Sequence, residues 1–596
     1  MKSCVSIFLS VVMALVSVAQ SNTVKNNPKK AVKEPEQTIV DIKKPAMMWL
    51  WAGAGFHNSE ASMLRVMSDE FRDQVVLKAF REISPTITRV FAGYYDWTKT
   101  SMHDFADYYD LTFRQAGTTV YMVPGRMPFL QNPEDDKCID EYMEQVCSRL
   151  EYIIKERKLT KVRYYCLSNE MCMGNQWGYF DTRLDLFKKY NEKLYWTLKK
   201  YNLDIGLAAT DTSGFRNMPQ IDWATKNMDQ ITDIYCWHVY LRSEEFLKNK
   251  KVSDKPLAEQ WLTRCVGMAS PGELEMYDAL YNAYKKLVVQ AMSREKRLMV
   301  GEYGYTSIHY RTVMSNDMSY ECDYPEYAHL GAITRVEMAL AALNAGCHSI
   351  INWTMFDYPE PFLREDGDSP MEKAWYDVAR FSGHSPTLAV RHNKNGVIRW
   401  EDSQNKNLSY PSLYAMGYFV KFFKKNAKVM PSETNDPTTR VGAIVNPDNS
   451  STIVIINWGK NKTVKINSQH NFDKPLRYYL YDSANVPYNK FCDLQKYSKL
   501  VEPKDGSLSV EVPARSIVYL TTDYQDRIPS EIKGIKIENN LLQWNATTDK
   551  EHCYYRVFKN GEQIASTVAT SLKIKDKKAK YSVKSVDKWG NCSDKN

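Results

Sequence analysis

The chain has 596 residues, 43% of them hydrophobic and 25% charged, with a formal net charge of +8. At roughly 150 residues per domain it holds three or more folded units, and its ordinary apolar content excludes a disordered or fibrous protein. Much of the lysine lies near the N-terminus and in surface-like C-terminal segments, which excludes a nucleic-acid site as the reason for the charge, and twelve cysteines without CxxC pairs or histidines at zinc spacing exclude a metal framework.

The chain opens with Lys2, an apolar run over residues 5–18 and the small residues Ser17, Val18 and Ala19, which together read as a secretory signal peptide cut after Ala19. The run is shorter than the ~20 residues of a membrane span, so the mature chain is expected in the periplasm or outside the cell with no span of its own. There Cys553 and Cys592 could pair. Residues 20–45, rich in Lys, Asn, Pro and Glu, read as a flexible leader.

From residue 46 strand-like and helix-like runs alternate. Strands are expected at 47–52 (MMWLWA), 86–91 (TITRVF), 118–123 (TTVYMV), 162–167, 205–209, 231–239 (ITDIYCWHV), 298–301 and 349–353 (SIINW). Helices are expected at 68–83, 103–116, 138–157, 185–201, 221–228, 273–294, 326–344 and, after a long loop region over 354–410, at 411–424. Eight such alternations over 46–428 predict a (β/α)8 TIM barrel. Alternating runs separated by Asn, Pro, Asp and Gly turns then predict an antiparallel β-sandwich over 429–526. A last set of short strands over 527–596, with Trp544 and an Asn560-Gly561 hairpin turn, is similar to a small Ig-like or fibronectin type III module.

Two of the expected barrel strands run out onto glutamates. KVRYYCLSNEMCMG (161–174) leads to Ser168, Asn169 and Glu170, and RLMVGEYGYT (297–306) carries Gly301 and Glu302. Barrel sites collect at the C-terminal ends of strands, so glutamates after strands four and seven face each other across the mouth. A carboxyl pair so placed suits retaining glycoside hydrolysis, with one group protonating the leaving oxygen and the other attacking the anomeric carbon.

Asn169-Glu170 and Gly301-Glu302-Tyr303-Gly304, on strands four and seven, resemble the paired motifs of clan A of the glycoside hydrolases, a resemblance that covers residues 46 to about 428. It implies that Glu170 is the general acid/base and Glu302 the nucleophile. Asn169, Arg89 on strand two, His238 and Tyr240 after strand six and Trp353 at the end of strand eight stand where members of the clan have active-site residues, which implies roles at the substrate. Arg89 and Tyr240 are expected to donate to Glu302 and keep it ionised, while Asn169 is expected on the sugar 2-hydroxyl. Trp353 offers a face to a pyranose, and Trp49, Trp51, Tyr94, Tyr95 and Trp97 could extend that platform. Asp211 and Asp357 read as exposed loop aspartates or sugar contacts. The chain departs from many clan members in having Met171 where they have proline after the acid/base, a position that does not react.

No GxSxG elbow, HExxH, phosphate loop or dinucleotide fingerprint is present, so neither a cofactor nor a catalytic metal is expected. The expected partner is a polysaccharide or large oligosaccharide, cut within the chain. Trimming from chain ends is the alternative within the same chemistry, and a non-catalytic carbohydrate-binding protein on a barrel scaffold is the alternative outside it.

Overall fold

The computed structural model describes residues 34–45, 50–58, 69–91, 106–107, 109–110, 117–124, 132–172, 180, 183–242, 267–268, 274–306, 324–356, 411–482, 491–504 and 506–593. Eight parallel strands close into a barrel in chain order: Gly53–Asn58, Ile87–Phe91, Thr119–Val123, Val162–Tyr165, Gly206–Ser213, Ile234–Arg242, Arg297–Thr306 and Ser349–Phe356. Strand eight pairs with strand one and strand seven with strand six, which completes the ring. Val120, Met122, Val162, Tyr165 and Val300 are buried, as expected of parallel strands covered by helices on the outside and filled by side chains within. The expected helix at 103–116 and the loop region beyond 356 lie largely outside the described residues.

The first barrel strand differs from its sequence reading. The apolar run ending at Trp51 is not in the barrel: Leu50–Trp51 pairs antiparallel with Ala427–Met430 at the edge of the sandwich, and the barrel strand begins at Gly53. Trp51 is fully buried there, its indole Nε1 donating to the Phe423 carbonyl at 3.2 Å and its ring edge-on to Phe419. It belongs to the seam between barrel and sandwich rather than to a sugar platform. Glycines 53 and 55 disguised the true strand because glycine is depleted from strands; at Gly55 a Cβ would fall 1.6 Å from the Ile87 carbonyl oxygen, so only glycine lets strands one and two pair.

The sandwich consists of a seven-stranded and a four-stranded sheet. Strands Thr439–Val445 and Ser451–Asn457 of the larger sheet are buried along their whole length. Val441, Ala443, Ile453 and Ile455 face the smaller sheet, while Ile444, Val454 and Ile456 join the barrel's own core. Helix Tyr324–Ala345 runs between barrel and sheet, so its residues from Ala332 to Leu343 are buried on both sides. Asn344 donates to the Val441 carbonyl at 2.8 Å, and the buried pair Glu337 and Arg440 crosses the same seam.

The expected leader also needs correction. Thr38–Ile42 is an inner strand of the smaller sheet, parallel to Lys462–Ser468 and antiparallel to Ser432–Thr434, with Val40 and Ile42 in the core. Its TIVDI alternation was the signal, hidden by the lysine-rich context on both sides.

Residues 536–587 form two three-stranded sheets around Trp544, Tyr555 and Val557. This unit is fastened to the barrel by a buried ionic cluster. The Lys78 ammonium, on the helix after barrel strand one, has no exposed surface and contacts Glu82 at 2.6 Å, Asp493 at 2.7 Å and the Cys492 carbonyl at 2.7 Å. From the C-terminal unit Arg556 reaches Asp493 at 3.1 Å and Tyr554 donates to Glu82 at 3.2 Å. Cys553 and Cys592 pack in one small cluster as free thiols, so the pairing considered from sequence is not formed.

Because Ile42 is buried in the sandwich core, Ile42→Ala is expected to lower stability by about 2–5 kcal/mol, read as a lower urea midpoint. An unchanged midpoint would mean that the N-terminal strand carries none of the sandwich's stability.

Candidate active site

Strand seven is where the site is built. Its register with strand six slips between Val300 and Glu302, and this bulge sets Glu302 level with His238, and Gly304 level with Tyr240. Gly301 sits at the slip, where a Cβ would lie 2.4 Å from the Cys236 thiol and 3.0 Å from His238 Nε2. The strand runs on to Thr306, so Glu302 projects from inside it rather than closing it.

Glu302 is 4% exposed and held on both oxygens. The Arg89 guanidinium donates to Oε1, and the Tyr240 hydroxyl donates to Oε2 at 2.5 Å. Across from it, Glu170 follows strand four in the left-handed region at φ 43°, a conformation that non-glycine residues adopt uncommonly and that clusters at functional positions. One oxygen of Glu170 and one of Glu302 lie within 4.8 Å of each other and of a ring nitrogen of His238. His238 Nδ1 is 3.3 Å from Glu170 Oε1 and 3.6 Å from Glu302 Oε2.

Beneath the pair lies a residue that sequence reading misplaced. Asp211 is neither exposed nor in a loop: it has no exposed surface and stands in strand five, which continues past Ala209 to Ser213. Like Glu170 it has a positive φ, 56°, and it sits where the register with strand six slips. Arg89 Nη2 donates to its Oδ2 at 2.7 Å; its Oδ1 accepts from Tyr121 at 2.6 Å and Cys236 at 3.0 Å and meets His238 Nε2 at 2.9 Å. The signal available in the sequence was an acid in the midst of a strand-like run, LAATDTS. Nothing in the sequence singled out Tyr121 or Cys236.

The charges set one another. Burial works against ionising Asp211, but Arg89 and His238 outweigh it and hold the carboxyl well below the usual carboxylate range. Burial likewise disfavours charge on Arg89 and His238, and Asp211 and Glu302 outweigh it, raising both well above their ordinary values. Glu302 is pushed up by burial and by Glu170, against the downward pull of His238 and Arg89. Two groups of acidic, thiol and imidazole ligands meet here, Asp211-Cys236-His238 and Glu170-His238-Glu302, but the guanidinium of Arg89 already lies against both Asp211 and Glu302 and supplies the cation that such a cluster requires.

Of the residues singled out from sequence, the structure brings Glu170, Glu302, Asn169, Arg89, His238 and Tyr240 into one cluster. Asn169 Oδ1 accepts from Arg89 Nη2 at 2.6 Å. Because a guanidinium only donates, this contact fixes the amide's orientation and turns its NH2 away from Arg89. Arg89 and His238 have no exposed surface; Arg89 and Tyr240 donate to Glu302 as expected, and His238 lies against Asp211, Glu170 and Glu302. Trp353 is half-buried beside the cluster, its ring 5.7 Å from that of Phe91. Trp49, Tyr94, Tyr95, Trp97 and Asp357 lie outside the described residues.

Gly301→Ala is expected to displace Cys236 and His238 and to abolish any activity of the site, with partial recovery in the Gly301→Ala/Cys236→Ala double variant, because the closest clash is with the thiol. Full activity in the single variant, measured on a folded sample, would show that the bulge does not need glycine.

No family model matches the chain, and no curated protein matches it in sequence. Solved structures match it in fold. A bacterial orthologue of human α-L-iduronidase is 12% identical, with 94% of this chain and 99% of that one covered at a TM-score of 0.55. The GH51 arabinofuranosidase from Xanthomonas axonopodis pv. citri is 12% identical, covering 81% of this chain and 99% of its own at 0.53. The catalytic domain of GH30 xylanase C from Talaromyces cellulolyticus is 13% identical, covering 81% and 99% at 0.52. At such identities the likeness is one of fold, a parallel eight-stranded barrel with β-structure attached.

Proposed function

We propose that the chain is an exported retaining glycoside hydrolase that cuts β-linked polysaccharide or oligosaccharide, with Glu302 as nucleophile and Glu170 as general acid/base. The observation that carries this reading is the pair of carboxylate oxygens within 4.8 Å at the C-terminal mouth of the barrel. Retaining enzymes hold their carboxyl groups about 5–5.5 Å apart, whereas inverting enzymes need about 6.5–9.5 Å to admit a water. The glycoside hydrolases among the fold neighbours support the same class of chemistry.

The hydrogen-bond partners of the two glutamates differ. Glu302 faces a guanidinium and a phenol, both of which favour its carboxylate form. Glu170 is the more exposed of the two and faces the mouth without a guanidinium partner of its own among the described contacts. In the first step Glu302 attacks the anomeric carbon as Glu170 gives its proton to the leaving oxygen. In the second, Glu170 takes a proton from water, whose oxygen displaces Glu302. In this reading the Asn169 NH2, turned from Arg89, donates to the sugar 2-hydroxyl, and Trp353 carries the C–H face of a pyranose. We assign endo action, the barrel to the span from strand Gly53–Asn58 to helix Pro411–Phe422, and a fibronectin-like accessory role to the C-terminal unit.

Aryl β-glycosides and β-glucan, galactan, mannan and xylan panels test the assignment. Glu170→Ala and Glu302→Ala are each expected to lose turnover, and azide is expected to yield a β-glycosyl azide from the first and an α-glycosyl azide from the second. Turnover surviving either change would overturn the roles, and binding of glycans without turnover by the wild type would favour a carbohydrate-binding protein. The pH profile gives a separate check. The active form of Glu302 is the carboxylate and burial raises its pKa, so kcat/KM is expected to fall in acid at a pH above the ~4.3 of an ordinary glutamate. An acid limb below that value would contradict the placement of Glu302 as the buried nucleophile.

A further inference from the structure

Both ring nitrogens of His238 face carboxylate oxygens. Nε2 meets Asp211 Oδ1 at 2.9 Å, and Nδ1 lies between Glu170 Oε1 at 3.3 Å and Glu302 Oε2 at 3.6 Å. A nitrogen lone pair aimed at a carboxylate is repelled, so each nitrogen is best matched to its surroundings with a proton on it. The groups that face the ring are Asp211 from strand five, Glu170 from the turn after strand four, Glu302 from strand seven and the Cys236 thiol from its own strand, with Arg89 behind Asp211 and Glu302.

We infer that His238 is a doubly protonated counter-ion shared by Glu170 and Glu302, fixed in that state by Asp211, and that it neutralises whichever glutamate is charged as turnover proceeds. This rests on the glycosidase reading above. In the resting enzyme Arg89 and His238 balance Asp211 and Glu302, and the acid role assigned to Glu170 requires it to enter turnover with its proton. Attack forms the bond between Glu302 and the anomeric carbon, breaks the bond from that carbon to the leaving oxygen, and passes the Glu170 proton to that oxygen. The negative charge has then moved from Glu302 to Glu170, and the cluster is again neutral. Hydrolysis of the ester by water returns the charge to Glu302 and the proton to Glu170. Nδ1 is near both oxygens throughout, so the charge moves between two sites that face one fixed cation. Electrostatic stabilisation of this kind needs no reorganisation at the moment of reaction. Asp211 reaches neither glutamate directly among the described contacts and acts through His238 and Arg89, which makes it a positioning residue.

The test is imidazole nitrogen NMR on the full chain with labelled histidine, the His238 signal being assigned as the one absent from His238→Asn. Both nitrogens are expected to stay protonated in the wild type from pH 5 to well above the ~6.5 of an ordinary histidine, and to lose a proton within that range in Asp211→Asn. Kinetically, His238→Asn is expected to slow glycosylation and deglycosylation alike by about a hundredfold, read as kcat/KM and kcat on aryl glycosides with good leaving groups, and to move the acid limb of kcat/KM upward. A neutral His238 in active wild-type enzyme overturns the inference alone, as does a folded His238→Asn variant slowed in only one step. A protonated His238 in an enzyme that cleaves no glycoside supports the charge assignment and overturns the glycosidase reading. Where His238→Asn fails to fold, His238→Gln supplies both the assignment of the signal and the kinetic comparison.

Discussion

The buried guanidinium of Arg89 is the contact on which the site depends. Three acids, Asp211, Glu302 and Glu170, converge at one end of a barrel whose interior excludes water, and unpaired charge in such surroundings costs several kcal/mol per ion. Arg89 rises from strand two with no exposed surface and touches Glu302, Asp211 and Asn169, side chains contributed by strands seven and five and by the turn after strand four. A lysine could not replace it, because a single ammonium has no planar fork with which to meet three oxygens at fixed angles. The phenol of Tyr121 and the imidazole of His238 complete the shell around Asp211, so the buried acid is answered by donors on nearly every side.

That arrangement requires backbone irregularity. Regular parallel strands would direct alternate side chains in and out with no adjustment, yet strands five and seven each slip against strand six at the level of the site, at Asp211 and at Gly301-Glu302. The same two strands thus carry the acid that anchors the cations and the glutamate that lies opposite Glu170. The close approach of Gly301 to Cys236 and His238 ties the slip in strand seven to the position of the imidazole.

Much of this was legible in the sequence, for reasons that differ between elements. The barrel could be counted because its strands are short apolar runs between helical patterns, and the glutamates stood out because each follows such a run. Strand one was displaced in the reading because the strongest apolar stretch, at Trp51, belongs to the seam with the sandwich, while the true strand is made weak by Gly53 and Gly55. Thr38–Ile42 was lost for the opposite reason: a good strand of five residues was set within a charged context. Asp211 was placed at the surface because an isolated acid in a sequence is far more often there; only the convergence of Arg89, Tyr121, Cys236 and His238 from strands two, three and six reveals its place, and that convergence is long-range.

The way an early strand and the C-terminal unit tie into the rest of the chain has a consequence for how such a protein can be taken apart. Residues 38–42 are woven into the sheet that the sandwich closes over, and Arg556 and Tyr554, near the other end, share the charges that surround Lys78 on the first barrel helix. A barrel of this design is not a detachable cassette. Cutting the gene at the apparent module junctions would strand a buried ammonium without one of its supports or leave a sheet missing an inner strand, so recombination between relatives would have to exchange the whole chain, and loss of either end would be felt in the folding of the centre.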